Sequence, residues 1–114
     1  YIKGFSHITG GGLIENIKRI LDDEHNISIS YDWHIPDVFK WIYKNSDMKI
    51  NDMLKTYNCG IGMVIIMDKK IFSDMCCEDL LQEINNFKLI PIGLITRNHD
   101  PKINYELIKK NLEY

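Results

Sequence analysis

The sequence has 114 residues, the length of one domain. Its hydrophobic fraction of 45% and charged fraction of 26% are typical of a globular domain with its own core. Fourteen basic and sixteen acidic residues give a net charge of −2, without the basic excess typical of nucleic-acid-binding proteins. No apolar run approaches the ~20 residues of a membrane span. Three cysteines, two of them adjacent, form no disulfide framework, so we expect a reducing, cytoplasmic setting without nucleic-acid or membrane partners.

The first third of the chain predicts strand, glycine loop, helix and strand. Residues 2–8 have the pattern of an extended segment. After three glycines, apolar residues recur at helical spacing to about residue 23. The polar side chains of this helix, including Asn16, are predicted to lie on the face opposite the apolar stripe. Strict alternation over residues 27–31 then predicts a strand with one buried face.

The next elements are two helices and a dense apolar strand. Pro36 fits the first position of a helix whose apolar stripe includes Val38 and Trp41, and both side chains are predicted to pack inward. A shorter helix is predicted over residues 51–56. Residues 63–67 are apolar on both faces, which predicts a central strand.

The last part of the chain predicts a helix and two strands. Residues 71–84 have the helical spacing, and residues 88–96 predict a strand that Pro91 assigns to an edge or a bulge. Alternating apolar residues from 103 to 107 favour a final strand over a helix. Residues 1–114 therefore predict a single domain of the α+β class, with a mixed β-sheet and helices in a layered α/β/α arrangement.

The segment HITGGG at residues 7–12 is the most informative. Three glycines remove every side chain where strand leads into helix, so backbone N–H groups can approach a ligand closely. A helix N-terminus behind them favours an anion such as phosphate. Thr9 adds a hydroxyl donor and His7 a second donor. The alternative is that Gly10, Gly11 and Gly12 only permit a tight turn and close packing.

A second glycine segment, NCGIGM at residues 58–63, leads into the apolar strand. Gly60 leaves room there for a ligand or for another backbone. Asn58 either contacts a ligand or caps the turn. The remaining histidines and Cys59 have no spacing typical of a metal site or of nucleophilic catalysis, so no metal ligand is predicted.

Four segments resemble, in the same order, the C-terminal domain of the phosphoribosylformylglycinamidine cyclo-ligase family, also called aminoimidazole ribonucleotide synthetases. The resemblance covers residues 2–97. Lys18 stands where the family commonly has a proline, and Lys55 where it commonly has an arginine. The lysine at position 55 would weaken any phosphate contact there, because it lacks the two-pronged guanidinium of arginine. The four segments are KGFSHITGGGLIENI at 3–17, WHIPDVFKW at 33–41, MLKTYNCGIGM at 53–63 and IGLI at 92–95.

The resemblance implies ATP-dependent ring closure of formylglycinamidine ribonucleotide to aminoimidazole ribonucleotide in purine biosynthesis. It also implies that ATP and Mg²⁺ are held mainly by an N-terminal domain that this sequence lacks, and that the full-length enzyme is a homodimer. This chain would then be a C-terminal fragment, inactive alone, that supplies one wall of the active site. His7 would be catalytic, and a phosphate or the substrate would contact Thr9, Gly10, Gly11, Gly12, Asn58 and Gly60.

Two alternatives remain open at the level of sequence. One is another ATP-using relative of the same fold, of the formylglycinamide ribonucleotide amidotransferase, thiamine-phosphate kinase or selenophosphate synthetase type. The other is a non-catalytic ligand-binding module that kept the domain and lost the chemistry. Both glycine segments are intact, which argues against such decay.

Overall fold

A computed structural model describes residues 2–30, 32–75 and 89–113. No helix in these ranges is long and apolar enough to cross a membrane. The strands are β1 (Ile2–His7), β2 (Asn26–Ile29), β3 (Met63–Met67), β4 (Gly93–Thr96) and β5 (Lys102–Ile103). The helices are α1 (Gly12–Lys18), α2 (Asp37–Lys44), α3 (Ile50–Thr56), α4 (Lys69–Met75) and α5 (Tyr105–Leu112).

The described strands form two sheets. β1 pairs antiparallel with β3, and His7 lies opposite Met63. The second sheet has the order β4-β2-β5, with β2 antiparallel to β4 and parallel to β5. This sheet is therefore mixed, and with the helices it confirms the predicted α+β class.

One hydrophobic core joins α1, α3 and α5 to the strands. Burial of this apolar surface is the main stabilising contribution to the fold. The completely buried side chains come from α1, β2, the loop before α2, α3, the turn after α3, and α5. They include Leu13, Ile17, Ile29, Ile35, Met53, Leu54, Cys59, Ile108 and Leu112.

Helix α1 ends at Lys18, about one turn earlier than the sequence predicts. The Arg19 amide still bonds four residues back, to Glu15. The amides of Ile20 and Leu21 bond only three residues back, to Ile17 and Lys18, which tightens and ends the helix. The Lys18 ammonium then donates to the carbonyls of Asp22 and His25, both at 2.7 Å. The loop after the helix is thus fastened to its last turn.

The prediction that residues 63–67 form a central strand is wrong for the described part of the chain. There β3 pairs only with β1. Val64 points into the core, whereas Met63 is 54% exposed and its neighbour on the same face, Phe5, is 56% exposed. Apolar side chains on both faces of a strand therefore do not require a partner strand on both sides.

The inward packing predicted for α2 is also only partly correct. Pro36 is the residue before the helix and not its first position. Phe39 packs against the core, but Val38 is 56% and Trp41 is 65% exposed. Val38 and Trp41 are three residues apart, so they share the helix face that turns away from the core.

The final strand predicted from alternation over 103–107 is wrong, because β5 ends at Ile103 and α5 follows. Asn104 caps this helix by accepting a hydrogen bond from the Leu107 amide at 3.3 Å. Ile108 and Leu112, four residues apart, bury one face of the helix. The helical spacing further along the chain therefore outweighs the alternation at its start.

Two other predictions concern the segment between β3 and β4. The predicted helix at 71–84 is confirmed as α4 up to Met75, and its remainder lies outside the described residues. The strand predicted over 88–96 is β4, which starts at Gly93 after Pro91. It occupies an outer position in its sheet, as a strand next to proline should.

Candidate functional site

The glycine loop, residues 9–12, joins β1 to α1. Gly11, the residue before the helix, has φ +101°, and Gly12 has φ +69°. Both lie in the left-handed region that side chains disfavour, so glycine is required at these two positions. The Gly12 amide donates to the Thr9 carbonyl at 3.1 Å, which closes the turn.

Gly12 has a packing role. It is buried, and a Cβ atom there would overlap the carbonyl oxygen of Leu54 in α3. Its amide is already bonded to Thr9, so Gly12 offers neither free space nor a free donor. At position 12, glycine is therefore required for close packing against α3 and not for contact with a ligand.

Gly10 has a different environment. It is exposed, and a Cβ atom there would meet no atom within 4 Å. Neither the Gly10 amide nor the Gly11 amide donates to an acceptor within residues 2–30, 32–75 or 89–113. The open space is at Gly10 only, because a Cβ atom at Gly11 would overlap the Glu15 carboxylate. An exposed backbone donor beside open space can bind an anion.

Asn16 holds this loop from inside, and the sequence-based assignment of Asn16 to the polar face is wrong. Its side chain is only 4% exposed. Its Nδ2 donates to the carbonyls of Gly12 at 2.8 Å, Thr9 at 3.2 Å and Gly10 at 3.4 Å. The one signal in the sequence that could have indicated this buried position is that Asn16 follows the last glycine by four residues, one helical turn.

Thr9 is exposed, but its hydroxyl is partly engaged. Its Oγ1 lies 3.4 Å from Asn16 Oδ1, to which it donates. This contact is long, so it competes weakly with a ligand for the hydroxyl proton. The lone pairs of the Thr9 hydroxyl face no described donor.

The turn at residues 58–61 is satisfied internally. Asn58 Oδ1 accepts from the Gly60 amide at 2.9 Å, and the Asn58 carbonyl accepts from Ile61 at 3.0 Å. Asn58 therefore caps the turn, one of the two roles left open by the sequence. Gly60 has φ +98°, and a Cβ atom there would lie 2.5 Å from Cδ of Pro36.

Cys59 lies in the same turn and is inert by environment. It is completely buried, and its carbonyl accepts from the indole Nε1 of Trp33 at 2.9 Å. Burial raises the pKa of the Cys59 thiol from 9.0 to about 11. A thiol with so high a pKa is protonated at neutral pH, so it is not a nucleophile.

The fold brings the two glycine segments together. The Ile8 amide donates to the Gly62 carbonyl at 3.0 Å, and Gly12 rests on Leu54. His7 is exposed at the end of β1, directly before the loop. The donors at Gly10 and Gly11 and the His7 imidazole thus follow one another along the chain.

Two cations lie close to the loop. Arg19 is paired with Glu15 at 2.8 Å and donates to Asn16 Oδ1 at 3.1 Å. Lys55 follows the residue that contacts Gly12, is exposed, and forms no ion pair with any residue of the described ranges. The positive charge of Lys55 would favour an anion at this end of the domain.

Other places in the described part of the chain offer less. No group of three or more His, Cys, Asp or Glu side chains within it could hold a metal ion. A surface groove of about 460 Å³ runs along α5, and none of the predicted site residues line it. Its lining residues are Asn104, Glu106, Leu107, Lys109, Lys110 and Glu113.

The fold and loop together define an α+β domain with a glycine turn between its first strand and first helix. Residues 1–90 match the family model described as AIR synthase related protein, C-terminal domain. This match covers well over half of the chain. The chain therefore belongs to the family of AIR synthase related proteins, through their C-terminal domain.

Curated relatives agree with this family. The chain is 46% identical over 70 residues to the phosphoribosylformylglycinamidine cyclo-ligase of Alkaliphilus oremlandii, a match covering 60% of this chain and 20% of that protein. It is 49% identical over 70 residues to the trifunctional purine biosynthetic protein adenosine-3 of Chironomus tentans, covering 60% of this chain and 5% of that protein.

The human protein of the same name is 36% identical over 89 residues, which is 77% of this chain and 8% of that protein. In all three comparisons the matched part is a fifth or less of the relative. The resemblance to the cyclo-ligase family stated from the sequence is confirmed.

Proposed function

We propose that this chain forms one wall of the active site of an ATP-dependent phosphoribosylformylglycinamidine cyclo-ligase in purine biosynthesis. The proposal is supported by family membership and by relatives that carry this name. The structural observation that carries it is the Gly10 amide, which lies beside open space and has no acceptor among the described residues.

The reaction we propose closes the imidazole ring of aminoimidazole ribonucleotide. The amidine nitrogen of formylglycinamidine ribonucleotide forms the new C–N bond, and the amide oxygen leaves as phosphate. ATP supplies the phosphoryl group that makes this oxygen a leaving group, and ADP is released. Such a closure depends on holding the reacting atoms in place, which a bound remote phosphate of the ribonucleotide can do.

In this proposal the amides of Gly10 and Gly11 anchor a phosphate of the substrate or nucleotide. The Thr9 hydroxyl is at the same edge of the loop, and Lys55 adds positive charge nearby. Gly12 contributes by packing the loop onto α3, and Asn58 and Gly60 form the neighbouring wall. Backbone donors held in place cost little reorganisation when the charge of the reaction develops.

His7 is the candidate for a polarising donor or acid. It is exposed at the last position of β1, so a substrate held by the next residues can reach its imidazole. A histidine exchanges a proton readily near neutral pH. We expect His7→Ala to lower the turnover of the full-length protein by about tenfold or more, whereas His99→Ala, an exposed histidine of a distant loop, leaves it unchanged.

We propose that an N-terminal domain of the same protein completes the site and that the full-length enzyme is a cytoplasmic homodimer. The described residues hold no carboxylate cluster that fits Mg²⁺, so we assign the metal, and most contacts to ATP, to that other domain. Residues 1–114 would then be a single C-terminal domain that is inactive by itself.

An assay of ATP consumption by the protein with its N-terminal domain tests this function. ATP should be consumed with formylglycinamidine ribonucleotide, and not with formylglycinamide ribonucleotide and glutamine, thiamine phosphate or selenide. The 114-residue chain alone should consume none. Consumption with one of the other three substrates would assign the protein to a different relative of the fold, and consumption with none would favour a binding module.

A further inference from the structure

The two-stranded sheet of β1 and β3 has an inner face toward the core and an outer face. Ser6 and Val64 lie opposite each other and are both buried, so they mark the inner face. Side chains alternate between the two faces of a strand, so the pairs on either side of this one lie on the outer face. We call this outer surface the ribbon face, and it consists of Ile2, Phe5, His7, Met63, Ile65 and Met67.

The ribbon face is apolar although much of it is exposed. Phe5 is 56%, Met63 54% and Ile2 48% exposed, and His7 is the one polar member of the face. When one face of an antiparallel sheet packs on the core, the face in solvent is commonly polar along each strand. A two-stranded sheet also has little stability of its own. Adjacent exposed apolar side chains of this kind mark a contact surface.

Two positions on the ribbon face indicate what covers it. His7 lies at one end, directly before the glycine loop, so an occupant of the face borders the candidate site. Ile2 lies at the other end and begins β1, the first element of the domain, so a preceding domain would be joined to the chain beside this face.

The relatives indicate how much chain is available to cover the face. The matched segment is 20% of the cyclo-ligase of Alkaliphilus oremlandii, and the family model describes a C-terminal domain. Most of that relative therefore lies outside the matched segment. A neighbouring domain of the same polypeptide is at high effective concentration, so even a small apolar surface can hold it in place.

We propose that the ribbon face is the docking surface for the N-terminal domain of the same protein, which covers it with an apolar surface of its own. Docking there buries Phe5 and Met63 and leaves His7 at the border, beside the groups that the N-terminal domain adds to the site. An apolar centre with polar residues at the rim is typical of a stable interface. The presence of that domain rests on the function proposed above.

Hydroxyl-radical footprinting of the protein with its N-terminal domain tests the proposal. The oxidation rate of each residue is divided by its own rate in the urea-unfolded protein. Met63 should be protected about tenfold or more, like the completely buried Met53, because the centre of an interface excludes water. Trp41, 65% exposed on α2, should react almost as fast as when unfolded. Met63 as reactive as Trp41 would overturn the proposal.

A charge placed on the ribbon face should release the docked domain. Phe5→Asp in the same protein puts an unpaired carboxylate into an apolar contact, so Met63 should be oxidised about tenfold faster than in wild type. Val38→Asp is the matched control, because Val38 is equally exposed at 56% but lies on α2, and Met63 should stay protected in it. Full protection of Met63 in Phe5→Asp would contradict docking. If Phe5→Asp does not fold, the footprint of the wild-type protein still decides.

Lysine cross-linking followed by mass spectrometry identifies the occupant. Lys3 is exposed in β1 beside the ribbon face and should link to lysines of the N-terminal domain. Lys102, exposed in β5 of the other sheet, is the control and should form fewer such links. Links from Lys3 of one copy to Lys3 of another, in place of links to the N-terminal domain, would assign the face to a second copy and overturn the proposal.

The docking surface and the proposed reaction can fail separately, because none of these measurements uses ATP or a ribonucleotide. A protein that consumes no ATP but protects Met63 and links Lys3 to its N-terminal domain would refute the proposed function and support the docking surface. A protein that consumes ATP with formylglycinamidine ribonucleotide but leaves Met63 unprotected would support the function and refute the docking surface.

Discussion

The two glycine segments contain similar residues but use asparagine in opposite ways. In the glycine loop, Asn16 bonds carbonyls and leaves the amides of Gly10 and Gly11 without a described acceptor. In the turn at 58–61, Asn58 takes the Gly60 amide itself. The two asparagines therefore differ in effect: the Gly10 amide has no acceptor among the described residues, whereas the Gly60 amide is already bonded to Asn58.

Gly12→Ala should have the largest effect on stability. The new Cβ would overlap the Leu54 carbonyl at a φ of +69°, so we expect the free energy of unfolding to fall by about 3 kcal/mol or more. Urea denaturation measures this. Gly10→Ala is the matched variant in the same loop, and its stability should differ from wild type by less than about 1 kcal/mol. Equal stability of the two variants would contradict the distinction between them.

Gly60→Ala should have the next largest effect. Its Cβ would press on the Pro36 ring at a φ of +98°, and we expect a loss of about 1–3 kcal/mol by the same measurement. Gly62→Ala is the control, since a Cβ there meets no atom within 4 Å. A neutral Gly60→Ala variant would mean that the turn does not rest on Pro36.

The buried Cys59 gives the second segment a pH dependence. Its pKa is raised by burial, so the unfolded chain loses the thiol proton near pH 9.0 and the folded chain only near pH 11. The contribution of the buried, protonated Cys59 thiol to the free energy of unfolding is fully present below pH 9.0 and is lost as pH rises toward 11. The difference in unfolding free energy between wild type and Cys59→Ala should therefore shrink over this range, and a constant difference would contradict the burial.

Lys18→Met should have the smallest effect. It removes two hydrogen bonds from a partly exposed ammonium to the carbonyls of Asp22 and His25, which we expect to cost about 0.5–1.5 kcal/mol. Thermal denaturation at matched pH measures the change. Lys102→Met, at an exposed lysine, is the control, and an equal shift in both variants would show that general charge and not the two bonds is responsible.

Much of the fold could be predicted because hydrophobic spacing is a local property of the chain. β1, the glycine loop, α1 and α3 follow from it directly. The central position expected for β3 failed because apolar residues on both faces indicate burial but not which neighbour provides it. Residues 103–107 failed because a short alternation is compatible with a helix once Asn104 caps it.

The site was predictable in part for the same reason. The residues HITGGG identify the loop, and its glycines predict that a ligand or another segment of the chain approaches the backbone closely. At Gly12 the approaching group is helix α3, and at Gly10 we propose a ligand. The sequence does not distinguish the two positions, because α3 is more than 40 residues away along the chain. Asn16 was missed because periodicity assigns polar residues to solvent, and only the folded loop supplies the carbonyls that bury it.

Calorimetric titration of inorganic phosphate into the 114-residue chain tests the central claim most directly. Wild type and Gly62→Ala should bind with equal affinity, whereas Gly10→Ala, whose methyl group would fill the open space beside the loop, should bind about tenfold more weakly or not at all. Equal affinity in all three proteins would contradict the claim that Gly10 and Gly11 hold the anion.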